Sequence, residues 1–133
     1  MKTLFAGFAL ATVVLSSYAS AQTYLCELND PRGRNVIPPE ILIEFSKDGS
    51  AKITDAFTLH YGIAPLKARF SEDNSKQMRA RWRLKDVVNP RGQKATLDFS
   101  LVYKKQRNRA HVTFKALGFD NTDSGTGTCK MVK

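Results

Sequence analysis

Two histidines, His60 and His111, are the only side chains in this sequence with an ordinary pKa near neutrality. Strand alternation puts Asp98, Ser100 and His111 on one sheet face, the residue types of a hydrolytic triad. Asp98 and Ser100 stand two apart on one flat strand, however, with no nucleophile elbow and no evident oxyanion donors, so chance placement explains the set. A glycosidase needs two acids across a cleft, and none of the 12 Asp and Glu residues is singled out by an apolar setting. The histidines are far apart and the cysteines are expected to pair with each other, which leaves no zinc set. Asp120-Asn121-Thr122-Asp123-Ser124-Gly125 is similar to the opening of a calcium loop, but Met131 stands where the closing Glu belongs, so a polar turn is expected. The following Gly125-Thr126-Gly127 could form an anion-binding nest or simply let the backbone turn tightly beside Cys129. No catalytic residue, metal or cofactor is expected.

The residues that do form a pattern are cations. Arg79, Arg81, Arg83 and Lys85 alternate with Met78, Ala80, Trp82 and Leu84, so one strand carries a basic face and an apolar face. The strand before it places Lys67 and Arg69 on the side away from Ala68 and Phe70, and a third brings Arg109, His111 and Lys115. Asp98 is the one acid that clearly intrudes, and keeping the apolar sets together makes it oppose Arg79, Arg81 or Arg83. Aligned like charges repel and favour a nearby anion. Long basic side chains also cover sheet surface and protect edges from aggregation, so recognition and solvation both remain open.

Period-two alternation runs through the whole chain. Ile41, Ile43 and Phe45, then Ala51, Ile53 and Phe57, flank Lys47-Asp48-Gly49-Ser50, a hairpin over residues 41–57. Ala95 to Tyr103 and Ala110 to Ala116 repeat the pattern, with Trp82, Leu84, Leu97, Phe99, Leu101, Val112 and Phe114 expected to be buried together. Turn chemistry falls at Glu72-Asp73-Asn74-Ser75, Asn89-Pro90-Arg91-Gly92 and Lys105-Gln106-Arg107-Asn108. Strands near Tyr24 to Leu28 and Thr128 to Val132 close the ends, and no segment reads as an amphipathic helix. The expected fold is all-β: a small antiparallel β-sandwich or barrel of seven to eight strands, stapled by one disulfide between the first and last.

The N-terminus sets the compartment. Lys2, an apolar run over residues 4–15 and the small-x-small site Ala19-Ser20-Ala21 form a secretory leader. Residues 1–21 are therefore read as a cleaved signal peptide and residues 22–133 as a single β domain. Removing 21 of 133 residues leaves 112, and losing Lys2 leaves 20 basic side chains against 12 acidic, a formal charge of +8. Such a charge biases encounters toward anions. In an oxidising compartment Cys26 and Cys129 pair most simply with each other; closing a loop of about 100 residues restricts the unfolded chain by up to ~4.7 kcal/mol. A compact leader without any Asn-x-Ser/Thr acceptor points to a bacterial envelope.

Tyr24-Leu25-Cys26 resembles the Tyr-x-Cys opening of small periplasmic inhibitors of c-type lysozyme, which are disulfide-stapled β-barrels. The Ser-, Gly- and Tyr-rich loop with which those inhibitors enter the lysozyme cleft has no counterpart here, and a basic chain suits a cationic enzyme poorly. The leading expectation is a non-enzymatic, monomeric periplasmic or secreted protein. It would bind an anionic polymer or lipid head group (lipopolysaccharide, acidic polysaccharide) or an acidic envelope protein through the basic face. An interaction or inhibitor module acting through loops such as Phe57 to Pro65, or a barrel holding a lipophilic ligand, are the alternatives.

Overall fold

The computed structural model describes residues 21–88, 91–120 and 122–132, so the expected leader lies outside the described residues except for Ala21. Nine strands follow in chain order: β1 (Thr23–Asn29), β2 (Glu40–Phe45), β3 (Ala51–Asp55), β4 (Leu66–Lys67), β5 (Phe70–Asp73), β6 (Gln77–Val88), β7 (Lys94–Lys104), β8 (Arg109–Ala116) and β9 (Thr122–Met131). They form one antiparallel sheet in the order β4-β3-β2-β1-β9-β8-β7-β6-β5, not two packed sheets. The sheet curls until its two ends come together. Only Ala68 and Arg69 separate β4 from β5, and their N–H groups donate to Ala51 O on β3 and Arg81 O on β6, both at 2.8 Å. Passage from one edge to the other splits the single strand expected to carry Lys67 to Phe70, which is why there are nine strands and not seven or eight.

Alternation drives this architecture. Inward residues of the strands are mostly apolar, with Asp55 and Asp123 as buried exceptions, and Trp82, Phe99, Ile41, Ile43, Met78, Leu84, Leu101 and Val112 are fully buried inside the curl. Trp82 stacks on Phe99, with centroids 5.5 Å apart and planes 7° from parallel, and Phe99 meets Phe114 at 5.4 Å. The predicted core therefore forms, with Leu97 partly buried against it. The hairpin around Asp48-Gly49 also forms as β2 and β3. Cys26 and Cys129 are register partners on β1 and β9 and are disulfide-bonded, joining the first strand to the last.

Two local expectations are corrected. Phe57 does not extend β3; it lies on a one-turn helix, α1 (Ala56–His60), that starts because Asp55 and Thr58 cap each other reciprocally at 2.8 Å. Burial holds the Asp55 carboxyl above its usual pKa. Phe57 then approaches Phe99 at 6.0 Å and covers one end of the core. Residues 122–127 are strand, where a polar turn and a nest or tight turn were expected, since Thr122 to Gly127 pair with β8 and β1. Gly127 is there because a Cβ would overlap the Glu27 carbonyl. Among the described residues no helix is long and apolar enough to cross a membrane.

Candidate anion-binding face

Antiparallel register places the outward side chains of β5 to β9 in rows across the sheet. Phe70, Arg81, Ser100, Thr113 and Ser124 make one row. Arg83, Asp98, Lys115 and Thr122 make the next, and Glu72, Arg79, Val102, His111 and Thr126 the one on the other side. Short hydroxyl side chains at Ser100 and Thr113 lie between long cations on neighbouring strands. The result is a shallow depression of about 540 Å³, bounded by Arg69, Phe70, Arg81, Arg83, Asp98 and Lys115.

Phe70 belongs to this face and not to the core. Arg69 N–H bonds to the carbonyl of Arg81 while Phe70 is Arg81's register partner, so two residues oppose one and the alternation slips at the sheet's seam. Phe70 is 42% exposed, and the guanidinium carbons of Arg79 and Arg81 stand 5.6 and 5.7 Å from its ring centroid. Cation–π attraction at this range holds both arginines over the ring and offsets part of their mutual repulsion.

The charges are unequally committed. Arg83 grips Asp98 with both arms of its guanidinium, Nε donating to Oδ1 at 2.5 Å and Nη2 to Oδ2 at 2.9 Å. That hydrogen bonding holds the Asp98 carboxyl below the usual carboxylate pKa, and the positive charges of Arg83, Arg69 and Lys115 act in the same direction. Arg79 has Glu72 at 3.8 Å. Among the described residues no ion pair involves Arg69, Arg81 or Lys115. These three cations border the depression without a carboxylate of their own.

Sequence reasoning placed the face and anticipated that Asp98 would oppose one of the β6 arginines. The structure brings together Arg69, Arg81, Arg83 and Lys115, with Arg79 one row away. Others are dispersed. Lys67 faces Lys52 across β3 and β4, Arg109 faces Lys104 at the far end of β8, and His111 sits between Val102 and Thr126. Lys85 is exposed where the β6–β7 register slips between Leu84 and Val87. Glu72 is a second outward acid, and the turn chemistry of Glu72-Asp73-Asn74-Ser75 masks its place on β5. Thr113, Phe70 and Ser100 also line the depression; outward parity alone places Thr113 beside Ser100. No hydrogen bond joins Asp98, Ser100 and His111, and both Asp98 oxygens are engaged by Arg83. Among the described residues no three His, Cys, Asp or Glu side chains gather as a metal site. No protein-family model matches the chain, and no curated protein or solved structure matches it either.

Proposed function

We propose that this is a non-enzymatic periplasmic or secreted protein that binds an anionic envelope component in the depression on the outer face of β5 to β8. One observation carries the reading. Arg69, Arg81 and Lys115 converge around the Ser100 and Thr113 hydroxyls, while the only acid in the depression is already bonded to Arg83. Hydroxyls and cations together offer donors to a phosphate or sulfate, and a site in which positive charge predominates attracts such groups over a distance. Affinity for heparin or lipopolysaccharide should then fall steeply with salt. Replacing Arg81 and Lys115 with Ser should flatten the slope of log K against log salt by roughly one unit per lost contact. An unchanged slope would leave the face as a solvated surface.

The loop reading has its own support. Leu59 and Ile63 on and after α1 are 64% and 40% exposed. Beside them Ile37, Pro38, Pro39, Phe57, His60 and Tyr61 line a groove of about 430 Å³. This end suits a protein partner, and Leu59→Ser should abolish such an interaction without touching anion binding. A lipophilic ligand inside the curl would have to displace Trp82, Phe99 and Met78, which fill it.

A further inference from the structure

Asp98 is unexpected in an anion site. Its charge repels the ligand that the surrounding cations attract, yet it stands in the depression with its side chain 33% exposed. The bond to Arg83 does not use it up. Each carboxylate oxygen accepts at two lone-pair positions, and Arg83 takes one on each. The depression therefore offers two chemistries side by side. Around Ser100 and Thr113 it presents donors with positive charge; at Asp98 it presents spare acceptors. Ser100 and Asp98 are two residues apart on β7, about 7 Å along a strand, a separation that one hexose ring with a substituent can span.

From this juxtaposition we infer that the ligand is a sugar carrying a phosphate or sulfate ester. The inference rests on the anion-binding reading and names its ligand class. The ester oxygens accept from Arg69, Arg81 and Lys115 and from the Ser100 and Thr113 hydroxyls, while a ring hydroxyl donates to Asp98. The part of the Phe70 ring that Arg79 and Arg81 leave exposed at the rim gives the carbon face of the sugar an apolar surface. Other anions use the site less fully. Inorganic sulfate, fully ionised at neutral pH, has no donor for Asp98 and suffers its repulsion, and the carboxylates of an acidic protein bring acceptors only.

The test compares inorganic sulfate with glucose 1-phosphate, glucose 6-phosphate and glucosamine 6-sulfate by calorimetric titration of wild type and Asp98→Asn. Wild type should bind at least one sugar ester about tenfold more tightly than inorganic sulfate, the worth of one hydrogen bond to a charged acceptor. Asp98→Asn loses one acceptor and the charge, so inorganic sulfate should bind equally well or better while the sugar preference disappears. Arg81→Ser should weaken all probes together and keep the preference. Equal binding of every sugar ester and inorganic sulfate by wild type, or an unchanged preference in Asp98→Asn, overturns the inference while salt-dependent heparin binding still upholds the broader reading. Loss of both heparin and sulfate binding overturns both. Vesicles containing a phosphorylated glycolipid, run beside soluble heparin, show whether the sugar ester is borne on a lipid or on a polymer.

Discussion

The outer face of β1 to β3 is built by the same alternation as the outer face of β5 to β8, but its contents differ. On β1 to β3 the outward residues include Glu27, Glu40 and Glu44 with Lys52, and Leu25 opposite Leu42. Glu44 faces Lys52, an ordinary cross-strand pairing of opposite charges. On β5 to β8 cations dominate, and the outward side of β9 between the two regions carries Thr122, Ser124, Thr126 and Thr128. A chain that needed positive charge only for solubility would gain nothing by gathering it on one side. Segregation concentrates repulsion, a cost that an anion bound there relieves. The contrast between the two faces is the main physical support for a dedicated anion site.

Both faces hang on one interior, so the largest expected effect removes them together. Trp82→Ala should destabilise the protein by about 3–5 kcal/mol, read as a lower midpoint in denaturant, because the indole is 1% exposed and stacked on Phe99. A loss below ~1 kcal/mol would mean the interior is not shared as described. The disulfide comes next. Cys26 and Cys129 tie the acidic side to the hydroxyl strand, and replacing both with Ser should cost about 2–5 kcal/mol. Anion affinity, measured well below the midpoint, should stay unchanged, since neither cysteine lies on the outer face.

The smallest effect concerns the Arg83–Asp98 pair, which like Arg79 with Glu72 sets opposite charges together on the basic face, as Glu44 and Lys52 do on the other. The folded-state pKa of Asp98 is depressed, so its ionised form is favoured by folding. The resulting stability is fully present above the unfolded value of about 3.9 and is lost as pH falls through the lower folded value. Wild type should exceed Asp98→Asn by no more than about 1 kcal/mol from pH 7 down to about 5, because the pair is partly exposed, and the gap should close below about pH 4. A gap that widens in acid would contradict the assigned direction.

Much of this is legible in the sequence. Period two placed the hairpin around Asp48-Gly49, the Trp82–Phe99–Phe114 core and the outward arginines of β6, because side-chain parity follows directly from strand geometry. What parity could not supply were the places where it slips. The seam at Ala68-Arg69 turns Phe70 outward, and whether two residues oppose one depends on how the sheet closes on itself. α1 hid behind the apolar spacing of Ile53 and Phe57; its signature was the Asp55 and Thr58 cap, three residues apart. Gly125 and Gly127 read as a nest or as turn residues, and their real role as room for a neighbouring backbone follows only from the pairing of β1 with β9. The Arg83–Asp98 bond was visible as a family of registers, from which the structure selects one.

Two double variants with the same change in net charge test the central claim most directly. Arg81→Ser with Lys115→Ser removes two cations from the depression; Lys52→Ser with Lys130→Ser removes two exposed cations from β3 and from β9 beside β1. Heparin or lipopolysaccharide affinity should be measured for both and for wild type across a salt series. A local site predicts that the first pair loses affinity and flattens the salt slope by roughly two units, while the second stays within a few tenths of a unit of wild type. Equal losses from the two pairs would show that net charge alone binds the anion, and the site on β5 to β8 would be wrong.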